Sequence, residues 1–267
     1  MVYFENMTIL HVFLLSLIQG VTEFLPVSSS AHLVLYNKFV VGLHDNLSLD
    51  IAIHIGSLLA VVLLVAKPLK ENTSIVLEKN GFKKSMFLMI LATLPLIFMA
   101  LVLEYTNAID LTRNLEIIAF TNIFFAILLY TSDRKVSQRK LSEITRKDAL
   151  IIGVWQSFAV IPGTSRSGAS ITGARFLDFN RKDAIIISVM LSIPSIALSS
   201  VYLVLKLINN YSSDVEIKLM IFGVLFSFIV SFFTLKLFIQ LGESYSFTPF
   251  VIYRMFLGLV LLALLYI

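Results

Sequence analysis

The sequence predicts an all-α polytopic membrane protein, with six transmembrane helices plus two re-entrant helix-turn-helix pairs in an inverted-topology repeat. Three observations carry this expectation. Several apolar segments are long enough to cross a bilayer, two further apolar stretches are each broken near the centre by a short polar string, and the basic residues gather in two loops. The composition agrees: 58% of the residues are hydrophobic and 14% charged, and the mean hydropathy of +0.90 lies far above that of an ordinary soluble domain. There is no cysteine, which excludes disulfides, thiolate nucleophiles and cysteine metal sites. The first seven residues carry Glu5 and no lysine or arginine, so no cleaved signal peptide is expected.

In chain order, the first apolar region covers residues 8–42 and is interrupted by Pro26-Val27-Ser28-Ser29-Ser30-Ala31-His32. Its halves, of about 15 residues each, are too short to span. Irregular backbone at bilayer depth persists only when it is buried in protein or lines a cavity, so a re-entrant pair is expected here. Spans follow at 49–66, 85–103 and 114–131. The second broken region, 148–178, carries Pro162-Gly163-Thr164-Ser165-Arg166-Ser167-Gly168 and is expected to form the second pair. The last three spans are 183–208, 217–240 and 248–267. All 267 residues then form one integral membrane domain, with repeats at about 1–131 and 148–267 joined by a basic loop, 132–147.

Loop charge orients the arrangement. Lys67, Lys70, Lys79, Lys83 and Lys84 lie between the first two spans, and Arg134, Lys135, Arg139, Lys140, Arg146 and Lys147 follow the third, so both loops are expected in the cytoplasm. The loops around Asn107 to Asp110 and Asn209 to Glu216 are poor in positive charge and should face outward. The net charge of +4 therefore reports topology, and no nucleic-acid partner is expected. The first broken pair enters from outside and the second from inside, which lets their tips meet as in inverted repeats. Aligning Pro26 with Pro162 pairs Ser28 with Thr164 and Ser29 with Ser165, and sets Gln19 and Gln156 upstream with an offset of one residue.

The residue types at the tips suggest phosphoryl chemistry. Gln19 and Glu23 share one helical face that points toward Ser28, Ser29, Ser30 and His32. A hydroxyl close to an imidazole and a carboxylate resembles an activated nucleophile with its base. Opposite, Arg166 stands between Ser165 and Ser167, and a guanidinium fork among hydroxyls and free N–H groups suits a phosphate. The helix expected to start after Gly168 would add its positive end. Thr164, with Ser28 and Ser30, completes the expected phosphate-binding set. Blander roles are expected elsewhere. Asp50 and His54, another i, i+4 pair, are assigned to support or helix packing, Arg254 is expected to snorkel to an interface, and His11, His44 and Trp155 carry no functional signal.

The two strings, read as Gln19-Gly20-Val21-Thr22-Glu23-Phe24-Leu25-Pro26-Val27-Ser28-Ser29-Ser30-Ala31-His32 and Pro162 through Ala169, resemble the two signatures of the undecaprenyl-diphosphate phosphatase family, the bacitracin-resistance proteins of bacteria. These are an (E/Q)xxxE motif followed by a PxSSxxH turn, and a PGxSRSG motif. Similarity extends through Asp50 to Val61, Arg181 to Pro194 and Phe247 to Arg254. The resemblance implies removal of the terminal phosphate of undecaprenyl diphosphate, which recycles the carrier for peptidoglycan synthesis, in the bacterial cytoplasmic (inner) membrane with the active site open to its outer face. It places Glu23, Ser29, His32 and Arg166 on the positions regarded as catalytic. It also implies a divalent cation, Mg²⁺ or Ca²⁺, held by Gln19 and Glu23. The partners implied are the polyprenyl diphosphate, membrane lipids and a second copy of the chain in a homodimer.

Three departures qualify the match. Gln19 is a weaker cation ligand than a carboxylate, Ser30 and Ala31 replace the Thr and Gly often seen in the turn, and Ile186 stands where some members carry a glutamate. The expected mechanism has Ser29 attacking with His32 as its base, or His32 attacking directly; the sequence leaves both open and favours Ser29. The rival class is an inverted-repeat transporter or flippase for a polyprenyl-phosphate lipid or small anion. A type-2 phosphatidic acid phosphatase is disfavoured, because no histidine follows His54.

Overall fold

A computed structural model describes residues 8–38, 47–66, 79–108, 110–209, 217–242 and 244–265. His44, Lys67, Lys70 and all but the first residue of the loop from Asn209 to Glu216 lie outside these residues, as do the side chains of Lys79 and Lys83. Among the described residues the chain forms ten α-helices and no strand. They are α1 Ile9–Thr22, α2 Ser29–Tyr36, α3 Leu47–Ala66, α4 Lys79–Tyr105, α5 Leu115–Asp133, α6 Arg146–Ser157, α7 Arg166–Phe176, α8 Arg181–Asn209, α9 Ile217–Leu241 and α10 Thr248–Leu265. Six of them, α3, α4, α5, α8, α9 and α10, are long and apolar enough to cross a membrane. Their bounds match the predicted spans to within a turn, except that α4 begins about a turn and a half early, carrying Lys79, Lys83 and Lys84 into the helix.

The two broken stretches form hairpins anchored at opposite ends of the bundle. The start of α6 and the end of α7 both lie beside the basic loop. There Arg139 donates to Asp148 through Nη1 (3.1 Å) and Nη2 (2.5 Å), and Arg175 and Arg181 converge on Asp133 at 3.5 and 2.7 Å. The start of α1 and the end of α2 meet the starts of α3 and α9 in a separate cluster of Val12, Leu15, Leu33, Tyr36 and Leu49 with Leu219. α8 joins the two ends, since it leaves Asp133 and reaches Glu104, which accepts from the Tyr202 hydroxyl at 3.1 Å.

Packing is close where small residues line the seams, as expected for helices that cannot gain by hiding apolar surface from lipid. α3 lies on α9 through Gly56, where an added Cβ would stand 2.4 Å from the carbonyl of Val224. Ser57 bonds Ser227 and Ser231 across the same seam, both at 3.0 Å. α1 packs on α9 and α6 on α4, so each hairpin leans on a span from the other half. The outward faces carry large apolar side chains such as Phe98, Phe233 and Phe256.

Candidate active site

The hairpins meet at their turns. Ser167 donates its hydroxyl to the carbonyl of Leu25 at 2.7 Å, and Arg166 Nη2 donates to Glu23 Oε1 at 3.0 Å and to the Glu23 carbonyl at 3.4 Å. Arg166 Nη1 turns the other way, to the carbonyl of Ser188 on α8 at 3.2 Å. One guanidinium therefore ties both tips to a span. Glu23 Oε2 takes the Ser29 hydroxyl at 2.6 Å and the Gln19 amide at 3.1 Å. The i, i+4 placement of Gln19 and Glu23 produces the contact expected of it, while Glu23 continues the helical backbone past the end of α1.

Both turns end on the same backbone device. Ser28 (φ 73°) and Ser165 (φ 69°) precede α2 and α7 in left-handed conformations that side chains rarely adopt. Their hydroxyls bridge to the second residue on: Ser28 to Ser30 at 3.2 Å, and Ser165 to Ser167 at 3.1 Å. Gln19 stands nine residues before Ser28, and Gln156 nine before Ser165, both fully buried. The structural register thus equates Ser28 with Ser165 and Ser29 with Arg166. The proline alignment is shifted by one residue, and the shift removes the glutamine offset. α7 begins at Arg166 rather than after Gly168, and the Gly168 N–H is already taken by the Ser165 hydroxyl at 3.1 Å.

The remaining expected residues sort by contact. No hydrogen bond joins His32 to Ser29 among the described residues. Its Nδ1 faces the Ser28 carbonyl at 2.7 Å and its Nε2 faces the Tyr253 hydroxyl, while the Ser29 hydroxyl donates to Glu23 Oε2. Thr164 is buried with its hydroxyl unpartnered, behind the tip rather than at its surface. Ser30 is exposed and Ser29 partly so. His54 bonds the Asp50 carbonyl through Nδ1 at 2.7 Å, a contact within α3, and it lies close enough to Glu23 to act on that carboxylate's charge.

Arg254 departs from expectation. It does not snorkel to an interface; it is fully buried. Its Nη2 donates to the carbonyls of Gly163 and Thr164, both at 2.8 Å, pinning the second turn from behind. Two neighbours account for that turn. Gly163 has φ +90°, and Thr121 donates to the Pro162 carbonyl at 2.7 Å, so a Cβ on Gly163 would fall 2.1 Å from the Thr121 hydroxyl. Periodicity could not distinguish this inward arginine from a snorkelling one. Tyr253 carries no functional signal in the sequence, because an aromatic residue in a span is ordinary.

Among the described residues the donor set for a cation is incomplete. Gln19 Oε1 is buried without a partner and Glu23 lies beside it, but no group of three His, Asp or Glu side chains converges among the described residues. Two such ligands fit a divalent cation that draws its other ligands from water and a substrate phosphate.

Residues 12–260 match the family model described as bacitracin resistance protein BacA. The undecaprenyl-diphosphatase of Jannaschia sp. (strain CCS1) is 38% identical, over 97% of this chain and 100% of that protein. The corresponding protein of Ruegeria pomeroyi is 39% identical with the same coverage. That of Aliivibrio salmonicida is 39% identical over 96% of this chain and 98% of its own length.

Proposed function

The chain belongs to the bacitracin resistance protein BacA family, and from that premise we propose that it hydrolyses undecaprenyl diphosphate to undecaprenyl phosphate and inorganic phosphate. It is a multi-pass membrane phosphatase of bacteria, and its activity fits a role in carrier recycling for peptidoglycan and in bacitracin resistance. The observation that carries the site assignment is the Glu23 carboxylate, which holds Arg166 on one oxygen and the Ser29 hydroxyl on the other.

The chemistry follows from that bridge. Arg166 holds the terminal phosphoryl with the Ser165 and Ser167 hydroxyls nearby, and positioning with charge neutralisation supplies most of the catalysis. A phosphate entering the guanidinium competes with Glu23, which frees that carboxylate to take the Ser29 proton. Ser29 Oγ then bonds to phosphorus, the bond to the bridging oxygen breaks, and undecaprenyl phosphate departs. Gln19 Oε1 and Glu23 would hold a divalent cation, which when bound supplies neutralisation of the diphosphate charge. Purified protein is expected to release phosphate from a polyprenyl diphosphate without any gradient, whereas a pure transporter would release none.

We also read the two halves as an inverted repeat in the cytoplasmic membrane, with re-entrant hairpins and a site open to the outer face. The matched turn conformations, the reciprocal packing of α1 on α9 and α6 on α4, and the hairpins' opposite anchorage support this. The basic loop at one end supports placing that end in the cytoplasm.

A further inference from the structure

Both ring nitrogens of His32 are assigned by their neighbours. A carbonyl only accepts, so Nδ1 beside the Ser28 carbonyl carries the proton of the neutral ring, and the lone pair lies on Nε2. That lone pair meets the Tyr253 hydroxyl, and the two rings are nearly parallel, with centroids 5.6 Å apart and planes inclined by 7°. Neither ring nitrogen is bonded to Ser29. Tyr253 precedes Arg254, so consecutive residues of α10 grip opposite tips: Tyr253 holds the His32 ring of the first, and Arg254 holds the carbonyls of the second.

We propose that Tyr253 is a positioning residue of the reaction, whose hydroxyl orients Nε2 of His32 and reserves it for activating the water that frees phosphate from the enzyme. The proposal rests on the reading that Ser29 is the nucleophile. After the first step phosphorus is bonded to Ser29 Oγ, and the Ser29 proton is on Glu23. In the second step a water enters between the Tyr253 hydroxyl and Nε2, accepts a hydrogen bond from that hydroxyl, and gives Nε2 a proton as its oxygen bonds to phosphorus. The bond from phosphorus to Ser29 Oγ breaks, Oγ recovers its proton from Glu23, and phosphate leaves. His32 then returns its proton to solvent. Access favours this division of labour. Tyr253 is 42% exposed and His32 is partly so, whereas Glu23 is buried with both carboxylate oxygens engaged.

The test is Tyr253→Phe, which keeps the ring and removes the hydroxyl, in purified full-length protein given undecaprenyl diphosphate radiolabelled at its terminal phosphorus. Formation of undecaprenyl phosphate in the first turnover should stay within about twofold of the parent, while phosphate release slows about tenfold. Label should accumulate on Ser29. His32→Ala should trap the same species, and adding Tyr253→Phe to it should slow release no further, since the two residues act as a unit. Equal slowing of both steps, no change in either, or additive losses in the double variant would overturn the proposal. Label absent from Ser29 in every variant, the parent included, would instead overturn the Ser29 reading on which it rests.

Discussion

Replacing Arg166 by lysine keeps the charge and tests the fork. The guanidinium spans two directions, with Nη1 reaching the Ser188 carbonyl at 3.2 Å and Nη2 reaching Glu23 Oε1 at 3.0 Å and its carbonyl at 3.4 Å. A lysine ammonium can serve one direction, so either the tie to α8 or the tie to the first tip is lost. A hydrogen bond to a charged group is worth about 1.5–3 kcal/mol. Losing one donor aimed at developing charge typically removes about 2.7–4 kcal/mol of transition-state stabilisation, or about 10²–10³ in kcat. Arg166→Lys is therefore expected to lower kcat by at least about 10²-fold with a smaller rise in KM, measured as phosphate release from undecaprenyl diphosphate in detergent. The thermal midpoint should fall by the equivalent of that one lost tie, because one of the two directions is left without its donor. A variant within about fivefold of the parent kcat would refute the cradle, since that loss is smaller than one hydrogen bond to a charged group.

Three further expectations follow from packing and charge. Because the chain has no cysteine, Ser30→Cys gives a single reporter, and a membrane-impermeant maleimide added to intact cells should label it; labelling only after lysis would reverse the orientation. Gly56→Ala should cost about 1–3 kcal/mol by driving a methyl into the Val224 backbone and parting α3 from α9, read as a lower thermal midpoint; an unchanged midpoint would discount that seam. Burial alone would push the Asp148 carboxyl up, but the Arg139 fork and the Thr145 hydroxyl and N–H hold it below its ordinary 3.8. A depressed carboxyl stabilises the fold above that ordinary value and loses its contribution as pH falls through the lowered one. Asp148→Asn should thus lower the thermal midpoint at neutral pH and flatten its acid decline below pH 3.8, and an equally steep decline would count against the pair.

The spans were legible because about twenty apolar residues leave few alternatives, and the hairpins because polar strings inside such runs require shelter. The pairing of Gln19 with Glu23 was legible from helical spacing alone, and that of Arg166 with the first tip from loop charge. The partner of Ser29 was not, since proximity in sequence favoured His32 while the turn directs that ring to α10. The feature the two turns share is the left-handed serine two residues after Pro26 and three after Pro162, a backbone conformation that no residue pattern displays. The inward course of Arg254 was also hidden, because its acceptors are backbone carbonyls that no side-chain pattern reveals.

Arg254 has a consequence for how this protein is kept folded. Its guanidinium is fully buried, two of its nitrogens, Nε and Nη1, have no hydrogen-bond partner, and among the described residues it forms no ion pair, while Arg166 is matched by Glu23 alone. The charge of Arg254 is therefore met by backbone carbonyls, and a second turn that lost its geometry would leave a bare cation inside the bundle, so the turn and the arginine hold each other in place.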